Sequence, residues 1–222
     1  MGQRQLRAAD GHTFGLYETV PGNEPRGGLV VIQEIFGVNA HIREIADSYA
    51  AEGFAALAPA LFDRVERDVE LGYDQAGMSR GRELAFAGLS RADALRDLQA
   101  AIEEAGKYGR VGVVGYCYGG LMTWLAACHL EGIACASVYY GGGIANELAQ
   151  TPNCPLIMHF GELDAHIPLT DVHRIREALP NTPIHVYPAD HGFNCDHRGS
   201  YHAPSADTAR RRTLRLFREH VG

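Results

Sequence analysis

Residues 115–120 read Gly115-Tyr116-Cys117-Tyr118-Gly119-Gly120. The spacing glycine, any residue, nucleophile, any residue, glycine is that of a nucleophile elbow, with cysteine as the nucleophile. An apolar run of β type, Val111-Gly112-Val113-Val114, precedes it, and an apolar helical run from Leu121 to Leu130 follows. A turn of this kind is strained, and glycines on either side remove the Cβ atoms that would crowd it. A helix N-terminus facing the sulfur favours thiolate over thiol. The chemistry implied is covalent catalysis by sulfur. A buried cysteine in a tightly packed turn would give the same letters. The meaning of the elbow therefore rests on acid and base partners further along the chain.

Two such partners follow, each just after an apolar run of strand type. Pro155 to Phe160 leads into Gly161-Glu162-Leu163-Asp164-Ala165-His166-Ile167-Pro168, and Pro183 to Tyr187 leads into Pro188-Ala189-Asp190-His191-Gly192-Phe193. Nucleophile, acid, histidine is the chain order of the α/β-hydrolase triad. In this reading Cys117 attacks a carbonyl carbon, His191 takes and returns the proton, and Asp164 fixes the imidazole tautomer. Glu162 and Asp190 compete for the acid role, and Asp164 could be a turn or capping residue. Asp164 ranks first because its loop continues to Ile167-Pro168 before a helix. An oxyanion hole needs two backbone N–H groups. The amides of Tyr118, after the nucleophile, and Ile35, in the loop Gln33-Glu34-Ile35-Phe36-Gly37, are the candidates. Glu34 is a carboxylate at the end of an apolar strand, costly unless paired. It either forms an ion pair, with Arg43 for example, or accepts the hydrogen of the Cys117 thiol.

These groups need a scaffold that brings strand ends together. Gly28 to Gln33, Phe54 to Ala58, 111–115, 133–140, Pro155 to Phe160 and Pro183 to Tyr187 read as strands, and His12 to Tyr17 as an edge strand. Helical patterns cover His41 to Ala51, 81–107 with a break near Gly88-Leu89-Ser90, 118–130, Leu169 to Leu179 and 205–220. Residues 60–80 read as an irregular polar loop. The alternation predicts an α/β-hydrolase fold, a mostly parallel central sheet flanked by helices on both faces, in one domain over residues 1–222. Ligands in such sheets bind beyond the carboxyl ends of the strands.

Composition narrows the function. The formal charge is 20 − 27 = −7, which argues against a nucleic-acid partner despite the run Arg210-Arg211-Arg212. No stretch approaches the length of a membrane span and the start lacks a signal-peptide pattern, so a cytoplasmic protein is expected. Five cysteines do not make a disulfide framework. A competing reading is a metal or redox-thiol protein built on His185, His191, Cys195, Asp196, His197 and His202, although no C-x-x-C or H-E-x-x-H spacing is present.

The whole pattern resembles the dienelactone hydrolase family over essentially the full length. The matching pieces are Asp10-Gly11-His12-Thr13-Phe14, Gln33-Glu34-Ile35-Phe36-Gly37-Val38-Asn39, the elbow at 115–120, Tyr139-Tyr140-Gly141, the Gly161-x-x-Asp164 loop and His191-Gly192-Phe193. The resemblance implies hydrolysis of a carboxylic ester or lactone, without metal or cofactor, on a small-molecule substrate by a monomer or small homo-oligomer. It implies that Glu34 holds the resting thiol until substrate releases it, and that Phe36, Tyr139, Tyr140 and Phe193 contact substrate. It also implies two arginines on a substrate carboxylate. Arg80 or Arg82 could supply one; the second falls on Cys195, with Arg198 out of register. Fewer arginines than in dienelactone-cleaving members are therefore expected.

Overall fold

The computed structural model describes residues 2–222. Its centre is an eight-stranded sheet in the order β1-β2-β4-β3-β5-β6-β7-β8. The strands are β1 Gly2–Arg7, β2 Thr13–Thr19, β3 Gly28–Ile32, β4 Ala55–Pro59, β5 Val111–Tyr116, β6 Ile133–Tyr139, β7 Leu156–Gly161 and β8 Ile184–Tyr187. From β4 to β8 every pairing is parallel; β1 and β2 pair antiparallel at one end. Every residue of β3, β4 and β5 is buried. Strands covered on both faces have no polar side to show, which is why they read as continuous apolar runs.

Among the described residues six α-helices accompany the sheet: α1 Ala40–Ala51, α2 Gln75–Glu83, α3 Arg91–Ala105, α4 Tyr118–His129, α5 Leu169–Ala178 and α6 Ala203–His220. Two positions of β5 show that they lie on both sides. A Cβ on Gly112 would meet the Phe217 ring of α6, whereas one on Gly115 would meet Gly119 and Thr123 of α4. On the first side α1 and α6 join through Tyr49 and Phe217, whose ring centroids are 5.7 Å apart. On the other, α4 is buried from Tyr118 to Ala127, including Trp124. A helix apolar all round belongs in the middle of a fold, and this one carries the elbow. No helix among the described residues is long and apolar enough to cross a membrane.

Three expectations need correcting. β2 is not an edge strand, because the mostly exposed β1 pairs beyond it. The break near Gly88-Leu89-Ser90 is real, but it separates a π turn, Leu84–Gly88, from α3, which Ser90 caps by accepting from Asp93 N at 3.1 Å. Residues 60–80 are not a loose polar loop. Leu61–Arg64 forms a 3₁₀ turn with Leu61 and Phe62 buried, and α2 starts at Gln75 under an Asp74 cap. The buried residues of α2 are only Gly77 and Gly81, so it carries no apolar stripe to read.

Gly81 shows why. A Cβ there would fall on the Ile35 carbonyl oxygen. Alanine in a helix interior is normally favoured over glycine by about 1 kcal/mol. Overpacking against backbone that cannot rotate away costs about 1–3 kcal/mol. Gly81→Ala should therefore destabilise the fold, by up to about 2 kcal/mol in urea unfolding, rather than stabilise it. A variant at or above the parent's stability would mean that α2 does not press on the Ile35 segment.

Candidate active site

β5 ends at Tyr116 and α4 begins at Tyr118, so Cys117 alone makes the turn. Its backbone sits at φ 56° and ψ −114°, a conformation that L-residues seldom adopt. Its N–H donates to the Tyr139 carbonyl at 3.0 Å. The glycines are required by contact. A Cβ on Gly115 would collide with the Gly119 carbonyl, and one on Gly119 with the Ile32 carbonyl. A Cβ on Gly120 would lie 2.6 Å from the Tyr139 carbonyl oxygen.

The three side chains singled out from sequence meet. His191 Nε2 lies 3.2 Å from Cys117 Sγ, and His191 Nδ1 lies 2.7 Å from Asp164 Oδ2. Asp164 is 4% exposed, and its other oxygen accepts from the amides of His166 at 2.8 Å and Ile167 at 3.2 Å. Those bonds fix the carboxylate plane, so Nδ1 must carry the proton that Asp164 accepts. Asp190 is no rival, since its carboxylate accepts from the His191 amide at 2.6 Å. Burial alone would lower the His191 pKa. Negative charge on Cys117 and the Asp164 carboxylate outweighs it and pushes the imidazole up to about 10.

The site opens into a cavity of about 500 Å³. Ile35, Phe36, Met78, Phe86 and Leu121 give it apolar walls, and Arg82, Arg91 and Arg198 also line it. Tyr118 is the first residue of α4, so its amide has no acceptor within the helix. Ile35 lines the same cavity.

Glu34 is 1% exposed and neither of its oxygens has a hydrogen-bond partner. Arg198 Nη1 stands 3.6 Å away. Arg43 is not its partner, because that guanidinium binds Glu70 at 2.6 and 2.8 Å. Nor does Glu34 hold the thiol by a hydrogen bond here; the sulfur is turned to His191.

The arginine expectations also change. Arg80 points outward to Glu66 and Glu83 and does not line the cavity, whereas Arg82 does. Arg198 reaches the cavity because turns closed by Cys195 N to Gly192 O and Arg198 N to Cys195 O fold its loop back. Gly192, at φ 76°, leaves the room that Arg198 fills, since a Cβ there would strike its guanidinium. Arg91 was not foreseen; it closes the Ser90 break and pairs with Glu147. Among the aromatic candidates only Phe36 lines the cavity. Tyr139 donates or accepts with Thr213 at 2.9 Å, on the far side. Tyr140 and Phe193 are fully buried and back His191, with the Tyr140 ring 5.2 Å from the imidazole and 5.3 Å from Phe193. The metal-like cluster disperses. His185 stacks on His159, His202 binds Ser205 at 2.6 Å, and Cys195 is buried near Tyr73. Asp196 and His197 stay together, beside His41 and Glu44.

This chain is similar to known proteins. The sequence model of the dienelactone hydrolase family matches residues 14–221. A protein of Synechocystis sp. provisionally named a carboxymethylenebutenolidase is 38% identical over 87% of this chain and 86% of its own. The carboxymethylenebutenolidase of Pseudomonas putida is 34% identical over 94% of this chain and 92% of its own. A crystal structure from Klebsiella pneumoniae, provisionally titled a dienelactone hydrolase, superposes with a TM-score of 0.87 at 30% identity, covering 99% of this chain and 98% of that one.

The charge coupling at the site can be read without turnover. Cys117→Ala removes the larger of the charges that raise the His191 pKa and leaves the burial that lowers it. The imidazole midpoint, followed by NMR of its ring C–H signals, should fall below the parent's value of about 10. An unmoved midpoint would mean that sulfur and imidazole are not electrostatically coupled.

Proposed function

Because the chain belongs to the dienelactone hydrolase family and is a hydrolase of ester or lactone bonds, we propose that it cleaves them through a thioester on Cys117. The observation that carries this reading is the continuous line from Cys117 Sγ through His191 to Asp164, at 3.2 and 2.7 Å. The Cys117 thiol gives its proton to His191 Nε2 as sulfur attacks the carbonyl carbon, and the carbonyl π electrons move onto oxygen. The amides of Ile35 and Tyr118 hold that oxyanion. When it collapses the C–O bond breaks, and His191 Nε2–H protonates the departing oxygen. A water then gives its proton to His191 and attacks the thioester, releasing the acid and the thiol. A lactone opens to a hydroxy acid, or to the oxo acid when the departing oxygen is an enolate. Asp164 holds the imidazole and stabilises its charge throughout.

The substrate we favour carries a carboxylate of its own. Arg198 supports this, because its nearest anion is Glu34 at 3.6 Å, without a hydrogen bond. Arg82 and Arg91 line the same cavity. An incoming carboxylate can take the Arg198 donors, leaving Glu34 to act on the thiol or on water. The five cysteines are free, and a nucleophilic thiol needs a reducing compartment, for which the cytoplasm is the fit. A monomer or small oligomer of one 222-residue domain, acting on a small molecule, completes the reading.

Two measurements test it. Cys117→Ala should lower kcat/KM for a chromogenic ester by about 10³ or more, and Asp164→Asn should cost far more than Asp190→Asn. Retention of most activity in the alanine variant would remove the thioester. On a matched pair of lactones, Arg198→Ala should raise KM for the acidic one about tenfold or more and spare the neutral one, since a charge-assisted bond contributes about 1.5–3 kcal/mol. Equal losses on both would show that Arg198 shapes the cavity and does not bind a carboxylate.

A further inference from the structure

The loop that carries Arg198 meets α1 at a second group of side chains. His41 and Glu44 lie one turn apart on α1, and Asp196 and His197 are neighbours on the loop. His41 Nδ1 is 3.3 Å from Asp196 Oδ1. His197 Nε2 is 2.7 Å from Glu44 Oε2 and 3.9 Å from Asp196 Oδ1. One donor atom of each residue lies within 4.8 Å of all the others. Nitrogen and oxygen donors at about 2.0–2.2 Å from a tetrahedral zinc ion are about 3.3–3.5 Å apart, so the observed spacings bracket those of a closed site. Small side-chain rotations would complete it.

Two further features point to a ligand. His41 is 2% exposed, so the protein fixes one imidazole in place, with its Nδ1 turned towards Asp196. His41, Glu44 and Asp196 also line a cavity of about 250 Å³, separate from the one at Cys117, which gives a small ion a way in.

We propose that His41, Glu44, Asp196 and His197 bind one divalent transition-metal ion of the zinc class, outside the hydrolytic site. Two imidazole nitrogens with two carboxylate oxygens suit zinc or cobalt better than calcium or magnesium, which prefer oxygen alone. The two carboxylates balance the charge of the ion. The ion takes no part in bond cleavage. It ties the loop to α1 and so steadies Arg198, one residue beyond His197. Neither His41-x-x-Glu44 nor Asp196-His197 is a motif by itself; only the fold joins them.

The test is a titration of chelator-treated protein with Co²⁺, followed by visible absorption, with Zn²⁺ as competitor. One Co²⁺ per chain should bind with ligand-field bands and no thiolate-to-cobalt charge-transfer band. Tm should rise by about 5–10 °C at a hundredfold excess over Kd. His197→Ala and Glu44→Gln, both at accessible side chains, should weaken binding at least about tenfold, and Cys117→Ala should leave it unchanged. Absence of binding overturns the proposal. So does unaltered affinity in His197→Ala, or a charge-transfer band lost in Cys117→Ala, which would put the ion on the catalytic sulfur.

Discussion

The turn at Cys117 is the constraint on which the rest of the site depends. Backbone at φ 56° is strained for a cysteine and costs of order 1–3 kcal/mol. It persists because both flanks are held. β5 is hydrogen-bonded on both sides in the middle of the sheet, and α4 is buried along nearly its whole length. Each large apolar side chain fully buried contributes about 1.5–3 kcal/mol, and α4 buries Leu121, Met122, Trp124 and Leu125. Packing therefore exceeds the strain severalfold. The turn aims the sulfur past the sheet edge, where the loops after β7 and β8 present Asp164 and His191.

Around that turn the charges are arranged in two pairs. Asp164 and His191 are joined by a 2.7 Å hydrogen bond, and Asp164 is further tied by two backbone amides. This pair is built to keep one geometry. Glu34 and Arg198 are 3.6 Å apart with no hydrogen bond between them. At an effective dielectric near 20 their attraction is of order 4–5 kcal/mol, comparable to the several kcal/mol lost by desolvating each ion. A pair so nearly balanced is easily re-partnered. Arg198 is also held over the rings of Phe36 and Tyr73, at 5.7 and 5.8 Å from their centroids, so the guanidinium stays in the cavity when its anion changes.

The sequence disclosed those parts whose signal is local. Apolar runs marked the buried strands, and the glycines around Cys117 marked the elbow, because each answers to contacts a few residues away. Asp164 and His191 were legible because both follow such strands at once. What stayed hidden depends on distant packing. α2 docks through Gly81, and glycine leaves no hydrophobic trace. Arg198 enters the cavity through successive turns that begin at Gly192, so counting residues from His191 placed it out of register. Tyr139 lies in the stretch that resembles the family, yet strand alternation turns it to the opposite face, towards Thr213. Glu34 was recognisable as an unusual buried acid, but its neighbour could not be read from a position 164 residues away in the chain.

The central claim is that hydrolysis passes through an acyl group on one sulfur. Its most direct test is to quench the enzyme within the first turnovers of a slowly hydrolysed ester and map the adduct by peptide mass spectrometry. The account predicts a transient acyl mass on the peptide containing Cys117, forming and decaying at rates that match turnover. A substrate consumed at the normal rate with no acylated cysteine, or with the acyl group on another residue, would contradict it.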